Sequence, residues 1–166
     1  MKYISHRGNL KKIIKKYEND PNYILEAILN GFDVEIDIWV IKSEIYLGHD
    51  FNQFKIDEKF LIDNKDKLWI HAKNDQALFF LSQNKIDLNF FWHEGDKFTV
   101  TSKGFIWTHC NVVKQYLSKN VFVNKKIILT LPEIIDNDFK YEINPNNYFG
   151  ICSDLIDIYR KKLSNL

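Results

Sequence analysis

The sequence contains very few cysteines and prolines, and it lacks any long apolar run. Among its 166 residues there are two cysteines and three prolines, and no apolar stretch approaches the length of a membrane span. Cys110 and Cys152 match no metal-binding spacing and cannot form a disulfide framework. The N-terminus shows neither the charged nor the apolar segment of a signal peptide. We therefore expect a cytoplasmic protein with reduced thiols.

Charge of one sign is not in excess either. The chain has 23 Lys and Arg residues against 22 Asp and Glu residues. Nucleic-acid binders and membrane-surface binders usually carry a pronounced basic excess, so we expect no nucleic acid and no membrane among the partners. The lysines within residues 11–16 and 161–162 are interpreted as solvated helix faces. The sequence does not determine the oligomeric state.

The amino-acid composition suits a single folded domain, which we expect to span residues 1–166. Apolar residues make up 45% of the chain and aromatic residues 15%, which argues against disorder. Strand-like and helix-like segments alternate, as is typical of an α/β fold with a mostly parallel sheet. An eight-stranded barrel usually takes about 250 residues and rarely fewer than about 200. We therefore predict a compact, helix-poor (β/α)8 fold, similar to a TIM barrel but without several outer helices.

Turn and capping residues set the predicted boundaries of the helices and strands. Asp20 and Pro21 are typical of a helix N-cap and first turn, Gly31 is typical of a helix end, and a tight turn is predicted near Lys42 and Ser43. Strands are predicted at Lys2–Ser5, Asp33–Val40, Glu44–Leu47, Leu68–Ala72, Leu88–Trp92, Phe98–Thr101, Phe105–Thr108, Lys126–Leu131 and Tyr148–Cys152. Besides the helix from Pro21, helices are predicted over Asp57–Asn64, over Asp75–Gln83 (expected to be well buried) and after Asp154 as a cap.

The strand after Gly31 carries two acidic residues on one side. Apolar residues at 34, 36 and 38 alternate with Glu35 and Asp37, so both carboxylates point in the same direction. They could form a solvated strand face. As a pair, they could also share one hard cation.

Histidines recur at the ends of apolar, strand-like runs, where parallel α/β folds place their active sites. These are His6, His49, His71, His93 and His109. His6 and His49 can alternate as general acid and base near neutral pH. Arg7 can bind phosphate through two hydrogen bonds, and Lys73 can add a point charge. Together with the paired carboxylates, these residues predict a site that cleaves a phosphodiester. The roles of His93 and His109 stay open.

Six short motifs follow one another along the chain. They are His6-Arg7-Gly8, Glu18-Asn19, Gly31 with Glu35-x-Asp37, Gly48-His49-Asp50, Trp69-Ile70-His71-Ala72-Lys73 and Gly150-Ile151-Cys152-Ser153-Asp154. In this order they resemble the glycerophosphodiester phosphodiesterase family, within the phosphatidylinositol-phospholipase-C-like phosphodiesterase superfamily, and the chain resembles a short, divergent member. The resemblance is specific in the first half of the chain, loose from residue 88 to 132, and weak at the end.

This resemblance implies a barrel with one divalent cation, commonly Mg²⁺ or Ca²⁺, bound by the Glu-x-Asp pair and a later acid. It implies acid and base roles for His6 and His49, and a phosphate-binding role for Lys73. A neighbouring hydroxyl of the substrate is expected to attack the phosphorus, and the cyclic phosphate is then hydrolysed or released. From the residues themselves, Glu18-Asn19-Asp20 is mainly interpreted as helix-capping chemistry, with Glu18 also a candidate to steady Arg7. Asp50 is expected to orient either His49 or the loop.

Two departures from the family pattern affect these expectations. His71 stands where the family has its third metal-binding acid, and an imidazole suits Mn²⁺ or Zn²⁺ better than Mg²⁺ or Ca²⁺. Three alternatives follow: His71 binds a softer metal, the cation rests on Glu35, Asp37 and substrate oxygens, or the metal has been lost. The short chain also implies that the insertion covering the substrate pocket is absent, which would suit a bulky head group or glycan phosphodiester.

Two functions are therefore consistent with the sequence. The first is a phosphoric diester hydrolase that acts on a small glycerophospho- or sugar-phosphate diester. The second is a catalytically inactive module of the same fold that binds a phosphate or phosphodiester. The presence of both His6 and His49 favours the enzyme, because a binding module needs no pair of titrating groups.

Overall fold

The computed structural model describes residues 1–109, 112, 124–135 and 143–164. Ten β-strands in this part of the chain form one sheet, and four α-helices have described bounds. The strands are β1 Lys2–His6, β2 Asp33–Ile41, β3 Glu44–Leu47, β4 Phe54–Ile56, β5 Leu68–Ala72, β6 Phe90–Trp92, β7 Phe98–Val100, β8 Ile106–Thr108, β9 Asn124–Thr130 and β10 Tyr148–Ser153. The helices are α1 Pro21–Leu29, α2 Glu58–Asn64, α3 Asp75–Gln83 and α4 Ile156–Leu163, with short 3₁₀ helices at Lys15–Tyr17 and Pro132–Ile134.

Seven parallel strands curl into an incomplete barrel, in the order β6-β5-β2-β1-β10-β9-β8. β7 continues the sheet beyond β8 but runs antiparallel to it. Within the described residues no strand ladder joins β7 to β6. Instead, the Ser102 N–H donates to the carbonyl of Phe90 at 2.7 Å, and the Ser102 hydroxyl donates to the carbonyl of Leu88 at 2.9 Å. The predicted α/β fold with a mostly parallel sheet is confirmed, whereas the described residues do not form a closed set of eight parallel strands.

The two faces of the curled sheet form two different apolar layers. Its outer face packs against the helices, through Val34, Ile36 and Ile38 of β2 among others. Its inner face fills the barrel with a second cluster of buried residues: Ile4, Trp69, Phe91, Trp107, Ile128 and Cys152. Because side chains alternate along a strand, Glu35 and Asp37 point into the barrel, and both are buried. The alternative that they form a solvated strand face is therefore wrong.

Most predicted elements are found within two residues of their predicted ends. Asp20 caps α1 by accepting a hydrogen bond from the N–H of Asn22 at 2.8 Å. Lys42 and Ser43 both have positive φ, 51° and 66°, which is the backbone of a two-residue hairpin turn between β2 and β3. β4 was not predicted, because three residues paired with one short strand give no repeating pattern.

Two expectations about local structure are wrong. Helix α3 is not buried on all sides: only Ala77 and Leu81 are buried and Phe79 is largely exposed, because the sheet covers one face of the helix. The lysines of residues 11–16 are exposed as expected, but Lys11 and Lys12 lie in a loop and Lys15 and Lys16 in a short 3₁₀ helix, and none lies on an α-helix face. No helix of the described chain is long and apolar enough to span a bilayer.

Candidate active site at the mouth of the barrel

All five histidines line one cavity at the end of the barrel where the parallel strands terminate, which we call the mouth. The cavity has a volume of about 480 Å³. Arg7, Glu35 and Lys73 line it together with His6, His49, His71, His93 and His109. His71 lies within β5, whereas the other four histidines end or follow their strands. Residues far apart in sequence are therefore brought to one site, as the motif order implied.

The register of the strands places a histidine beside each of the two acidic residues. His6 of β1 pairs with Glu35 of β2, and Asp37 of β2 pairs with His71 of β5. The His6 Nε2 and Glu35 Oε2 atoms are 3.9 Å apart, and the His71 Nδ1 and Asp37 Oδ1 atoms are 3.0 Å apart. The four side chains thus form one row across three neighbouring strands.

Asp37 is the most densely contacted side chain of this row. One carboxylate oxygen faces Arg7 Nε at 2.9 Å and accepts a hydrogen bond from Asn19 Nδ2 at 2.9 Å. The other lies 3.0 Å from His71 Nδ1 and 3.7 Å from Lys73 Nζ. Burial alone would raise the pKa of Asp37, but the His71 hydrogen bond and the Arg7 charge hold it well below its usual range. Asp37 is therefore an ionised carboxylate.

Glu35, two residues earlier on the same strand, has its pKa shifted in the opposite direction. Burial raises the pKa of Glu35, and the charge of Asp37 raises it further. Its Oε2 atom is buried and has no hydrogen-bond partner among the described residues. An unpartnered buried carboxylate oxygen that faces the cavity marks the place where a cation or a ligand would bind.

His6 is held by an aspartate from the far end of the chain. Its Nδ1 lies 2.7 Å from Asp154 Oδ1, which also accepts a hydrogen bond from Asn9 Nδ2 at 2.8 Å. Burial lowers the pKa of His6, but the hydrogen bond to Asp154 and the negative charges of Glu35 and Asp154 together outweigh burial, so the pKa is raised. Asp154 was expected to cap the last helix. That prediction is wrong, because α4 starts after Leu155 without a side-chain cap and the Asp154 carboxylate binds His6 and Asn9 instead.

His49 follows β3 at the mouth and is more exposed than His6. Its Nδ1 contacts Asp50 Oδ1 at 2.6 Å, and Asp50 itself is exposed. Partial burial lowers the pKa of His49, and the charges of Arg7 and Lys73 act in the same direction. The preceding Gly48 has a φ of 147°, and a Cβ there would lie 2.1 Å from the Phe51 carbonyl oxygen, so the turn that presents His49 requires glycine.

The loop after β1 contributes more contacts to the site residues than to the N-terminus of α1. Arg7 has a φ of 54°, an uncommon left-handed conformation, and its Nη1 donates to Glu18 Oε2 at 3.2 Å. Asn19 is fully buried, and its Oδ1 accepts the N–H of Asp37 at 2.9 Å. Of the Glu18-Asn19-Asp20 motif only Asp20 is a helix cap, so the capping interpretation is wrong for the other two. A polar residue that becomes fully buried gives no local sequence signal.

Glu35, Asp37 and His71 could together hold a metal ion, because one ligand atom of each lies within 4.8 Å of the others. The His71 Nε2–H donates to the carbonyl of His93 at 2.8 Å, which leaves Nδ1 facing the two carboxylates. Metal-binding histidines commonly donate their second nitrogen to such an acceptor. With the unpartnered Glu35 oxygen, this donor set fits a divalent cation. One nitrogen and two carboxylates suit Mn²⁺ or Zn²⁺ better than Mg²⁺ or Ca²⁺.

The other side of the cavity carries polar atoms without partners. His93 Nδ1 and Thr130 Oγ1 are buried, and neither has a hydrogen-bond partner in the described part of the chain. The His93 and His109 rings lie 5.3 Å apart. Burial, together with the charges of His71 and His109, lowers the pKa of His93 to about 4. His93 is therefore neutral near pH 7. Cys110, which follows His109, lies outside the described residues.

Comparison with known proteins supports the fold that the motifs suggested. A solved glycerophosphodiester phosphodiesterase from Thermotoga maritima matches this chain with a TM-score of 0.53 and 15% sequence identity, over 98% of each chain. The chain has a glycerophosphodiester-phosphodiesterase-like fold. No protein-family model and no curated protein sequence matches it. At this identity the likeness concerns the fold, and it extends over nearly the whole of both chains.

Proposed function

We propose that this protein is a metal-dependent phosphodiesterase that cleaves a glycerophospho- or sugar-phosphate diester. The observation that carries this proposal is the row His6, Glu35, Asp37 and His71 at the mouth, beside Arg7 and Lys73. Cleaving a phosphodiester requires positive charge near the phosphoryl oxygens and a proton moved at each end of the in-line displacement. Cationic and titrating groups for both tasks line this cavity.

The two catalytic histidines differ in the direction of their pKa shifts, which supports separate roles. His6, whose pKa is raised, is assigned as the acid that protonates the leaving alcohol. His49, whose pKa is lowered, is assigned as the base that takes the proton of the attacking hydroxyl. Arg7 and Lys73 are assigned to bind phosphate. A divalent cation held by Glu35, Asp37 and His71 would neutralise negative charge on the phosphoryl group.

The resemblance implies that the nucleophile is a hydroxyl of the substrate itself. That oxygen bonds to phosphorus while the bond from phosphorus to the leaving alcohol breaks, which yields a cyclic phosphate and a free alcohol. In a second step, water could open the ring with the two histidines in exchanged roles. We propose the cyclic phosphate as the first product, and the assay below separates its hydrolysis from its release.

A panel of phosphodiesters tests this proposal. The protein is incubated with glycerophospho- and sugar-phosphate diesters in the presence of Mg²⁺, Ca²⁺, Mn²⁺ or Zn²⁺, and products are followed by ³¹P NMR. We expect turnover with a diester that carries a free hydroxyl beside the phosphate, with Mn²⁺ or Zn²⁺ the most effective. An analogue with that hydroxyl methylated should not react. Turnover that is unchanged in a metal chelator would contradict the metal-dependent reaction.

A second function is favoured by one observation. His71 replaces an acid and hydrogen-bonds to Asp37, so a metal at this position has to displace the proton between them. A catalytically inactive module would bind the diesters of the panel, detected as a raised melting temperature, and turn over none of them with any cation. The cytoplasmic location expected from the sequence stays a prediction, which fractionation of cells that express the tagged protein would test.

A further inference from the structure

The loop between Arg7 and Glu18 carries an unusual concentration of exposed positive charge. Residues 11–17, which we call the mouth segment, contain four lysines and no acidic residue. All seven residues except Ile14 are exposed. The segment leaves the barrel at the site itself, because it follows His6 and Arg7 and returns at Glu18, which binds Arg7. This charge therefore stands beside the cavity.

The balanced charge of the whole chain conceals this local excess. Without the four lysines of the mouth segment, the remaining 19 basic side chains face 22 acidic ones. The protein thus has a strongly positive segment at the mouth and a formal excess of negative charge elsewhere. The expectation of no membrane contact relied on the overall balance, which averages over these two regions.

Exposed apolar side chains accompany the lysines. Ile13 of the mouth segment is 55% exposed, Phe51 in the loop after His49 is 59% exposed, and Ile134 after β9 is 56% exposed. The loop that carries Phe51 lies at the mouth, because His49, two residues before Phe51, lines the cavity. Tyr17, also exposed, has Lys16 Nζ over its ring at 4.5 Å. Three loops at the mouth thus each carry a large apolar side chain that is exposed to water.

The mouth segment is held in place by the loop around it. The N–H of Ile14 donates to Asn9 Oδ1 at 3.1 Å, and the Tyr17 ring lies 5.8 Å from the ring of Tyr23 on α1. Asn9 also donates to Asp154, the partner of His6. The apolar and basic side chains are therefore presented in a defined direction and not by a loose tail.

We propose that the mouth of the barrel docks on an anionic phospholipid surface. Lysines interleaved with isoleucine and tyrosine are typical of interfacial segments, because the ammonium groups reach anionic head groups while the apolar groups enter the acyl boundary. A nucleic acid would engage the lysines but leave Ile13, Phe51 and Ile134 in water. The docking surface goes beyond the proposed function. That it delivers lipid head-group diesters to the site is a step that rests on that function.

Sedimentation with vesicles tests this surface without measuring turnover, so its failure and the failure of the proposed function are distinguishable. The native protein should bind vesicles that contain equal parts of phosphatidylglycerol and phosphatidylcholine, and should not bind phosphatidylcholine alone. The double variant Lys11→Gln and Lys12→Gln should bind about 25-fold more weakly, since each lysine near such a surface contributes about fivefold. Ile13→Ser should weaken binding further in the same background.

The matched control removes two adjacent lysines from the opposite end of the barrel. Lys161 and Lys162 lie in the last turn of α4. The neighbouring Arg160 donates to the carbonyl of Asn30, just before the start of β2, and the start of β2 is the end of the strand away from the mouth. Lys161→Gln with Lys162→Gln, and Leu29→Ser as the apolar control, should leave vesicle binding unchanged. The proposal is wrong if both lysine pairs have equal effects or if the native protein binds neither kind of vesicle. Binding to single-stranded RNA that does not depend on Ile13 would instead identify a polyanion site.

Discussion

The two sides of the mouth differ in how their polar atoms are bound. The charged side is formed by the ends of β10, β1, β2 and β5. There the single side chain of Asp37 contacts four others: Arg7, Asn19, His71 and Lys73. On the far side, formed by the ends of β6, β8 and β9, His93 Nδ1 and Thr130 Oγ1 have no partner among the described residues.

If the proposed function is right, this difference assigns the two sides of the cavity different roles. Dense ion pairing around Asp37 holds its partners in one geometry before any substrate arrives, which is what electrostatic catalysis requires. Glu35 Oε2, on the same side, has no hydrogen-bond partner among the described residues. The far-side atoms have no partner among the described residues, so a ligand in the cavity can supply their hydrogen bonds and be recognised through its uncharged part. If the proposed function is right, substitutions on the charged side should change turnover, and substitutions on the far side should change substrate affinity.

The largest effect is expected for His6→Ala on the charged side. General acids and bases contribute about 10² to 10⁴-fold to the rate, so kcat should fall by that factor while KM changes little. Steady-state kinetics with the best diester of the panel measure both. His93→Ala on the far side is the comparison and should change KM more than kcat. Equal losses of kcat in the two variants would contradict the assignment of different roles to the two sides of the cavity.

The next effect concerns the metal. At a metal concentration of about 100 times Kd, binding should stabilise the native protein by about 2.7 kcal/mol. Glu35→Gln with Asp37→Asn should abolish this stabilisation, measured as the rise in melting temperature on adding Mn²⁺ or Zn²⁺. Glu35→Gln alone leaves the Arg7 and His71 contacts of Asp37 intact, and it should still lose most of the rise.

His71→Glu sharpens the same test. It restores an acid at the position of the imidazole, so the melting-temperature response should shift from Mn²⁺ and Zn²⁺ toward Mg²⁺. A double variant of Glu35 and Asp37 that binds metal like the native protein would place the metal elsewhere. An unchanged order of metals in His71→Glu would show that His71 is not a ligand.

A smaller, pH-dependent effect is expected for Asp154→Asn. The pKa of His6 is raised above its ordinary 6.5 in the folded protein, so its contribution to stability is fully present below pH 6.5 and is lost as pH rises through the raised value. The variant should therefore be less stable than the native protein by about 1 to 3 kcal/mol near pH 6, and this difference should shrink at alkaline pH. Urea unfolding at a series of pH values measures it.

At acidic pH the same experiment should show the opposite dependence: the stability contributed by the Asp154 carboxylate is lost as pH falls. Burial raises the pKa of Asp154, but the hydrogen bond and charge of His6, together with the Asn9 hydrogen bond and the Arg7 charge, hold it below the ordinary 3.8. Its contribution is present above pH 3.8 and is lost as pH falls through the lowered value. A difference in stability that is constant from pH 4 to pH 9 would contradict the His6–Asp154 pair.

The smallest effect is expected for Thr130→Val on the far side. The hydroxyl has no partner in the described chain, so the substitution should leave the melting temperature unchanged and raise KM by about 2- to 12-fold if the hydroxyl binds substrate. Thr108→Val is the matched control. The Thr108 hydroxyl donates to the carbonyl of Ile128 at 3.0 Å and accepts the N–H of Thr130 at 3.2 Å, so its loss should lower stability. Equal losses of stability would assign Thr130 a structural role only.

Local chemistry made much of this fold predictable from the sequence. Asp20 and Pro21 begin α1, residues 42 and 43 turn between β2 and β3, and Glu35 and Asp37 point to the same side of β2. Each feature follows from backbone geometry within a few residues, because capping, left-handed turns and strand alternation depend only on neighbours in the chain.

The contacts that make the site were decided by tertiary structure alone. The pairing of His6 with Glu35 depends on the register between two strands, and the contact of His6 with Asp154 joins residues 148 positions apart. Asn19 changes from an expected capping residue to a buried partner of Asp37 for the same reason. The location of the four mouth lysines beside the cavity was likewise hidden in the net charge. Such contacts depend on how distant strands pack, and a pattern of neighbouring residues carries no information about that packing.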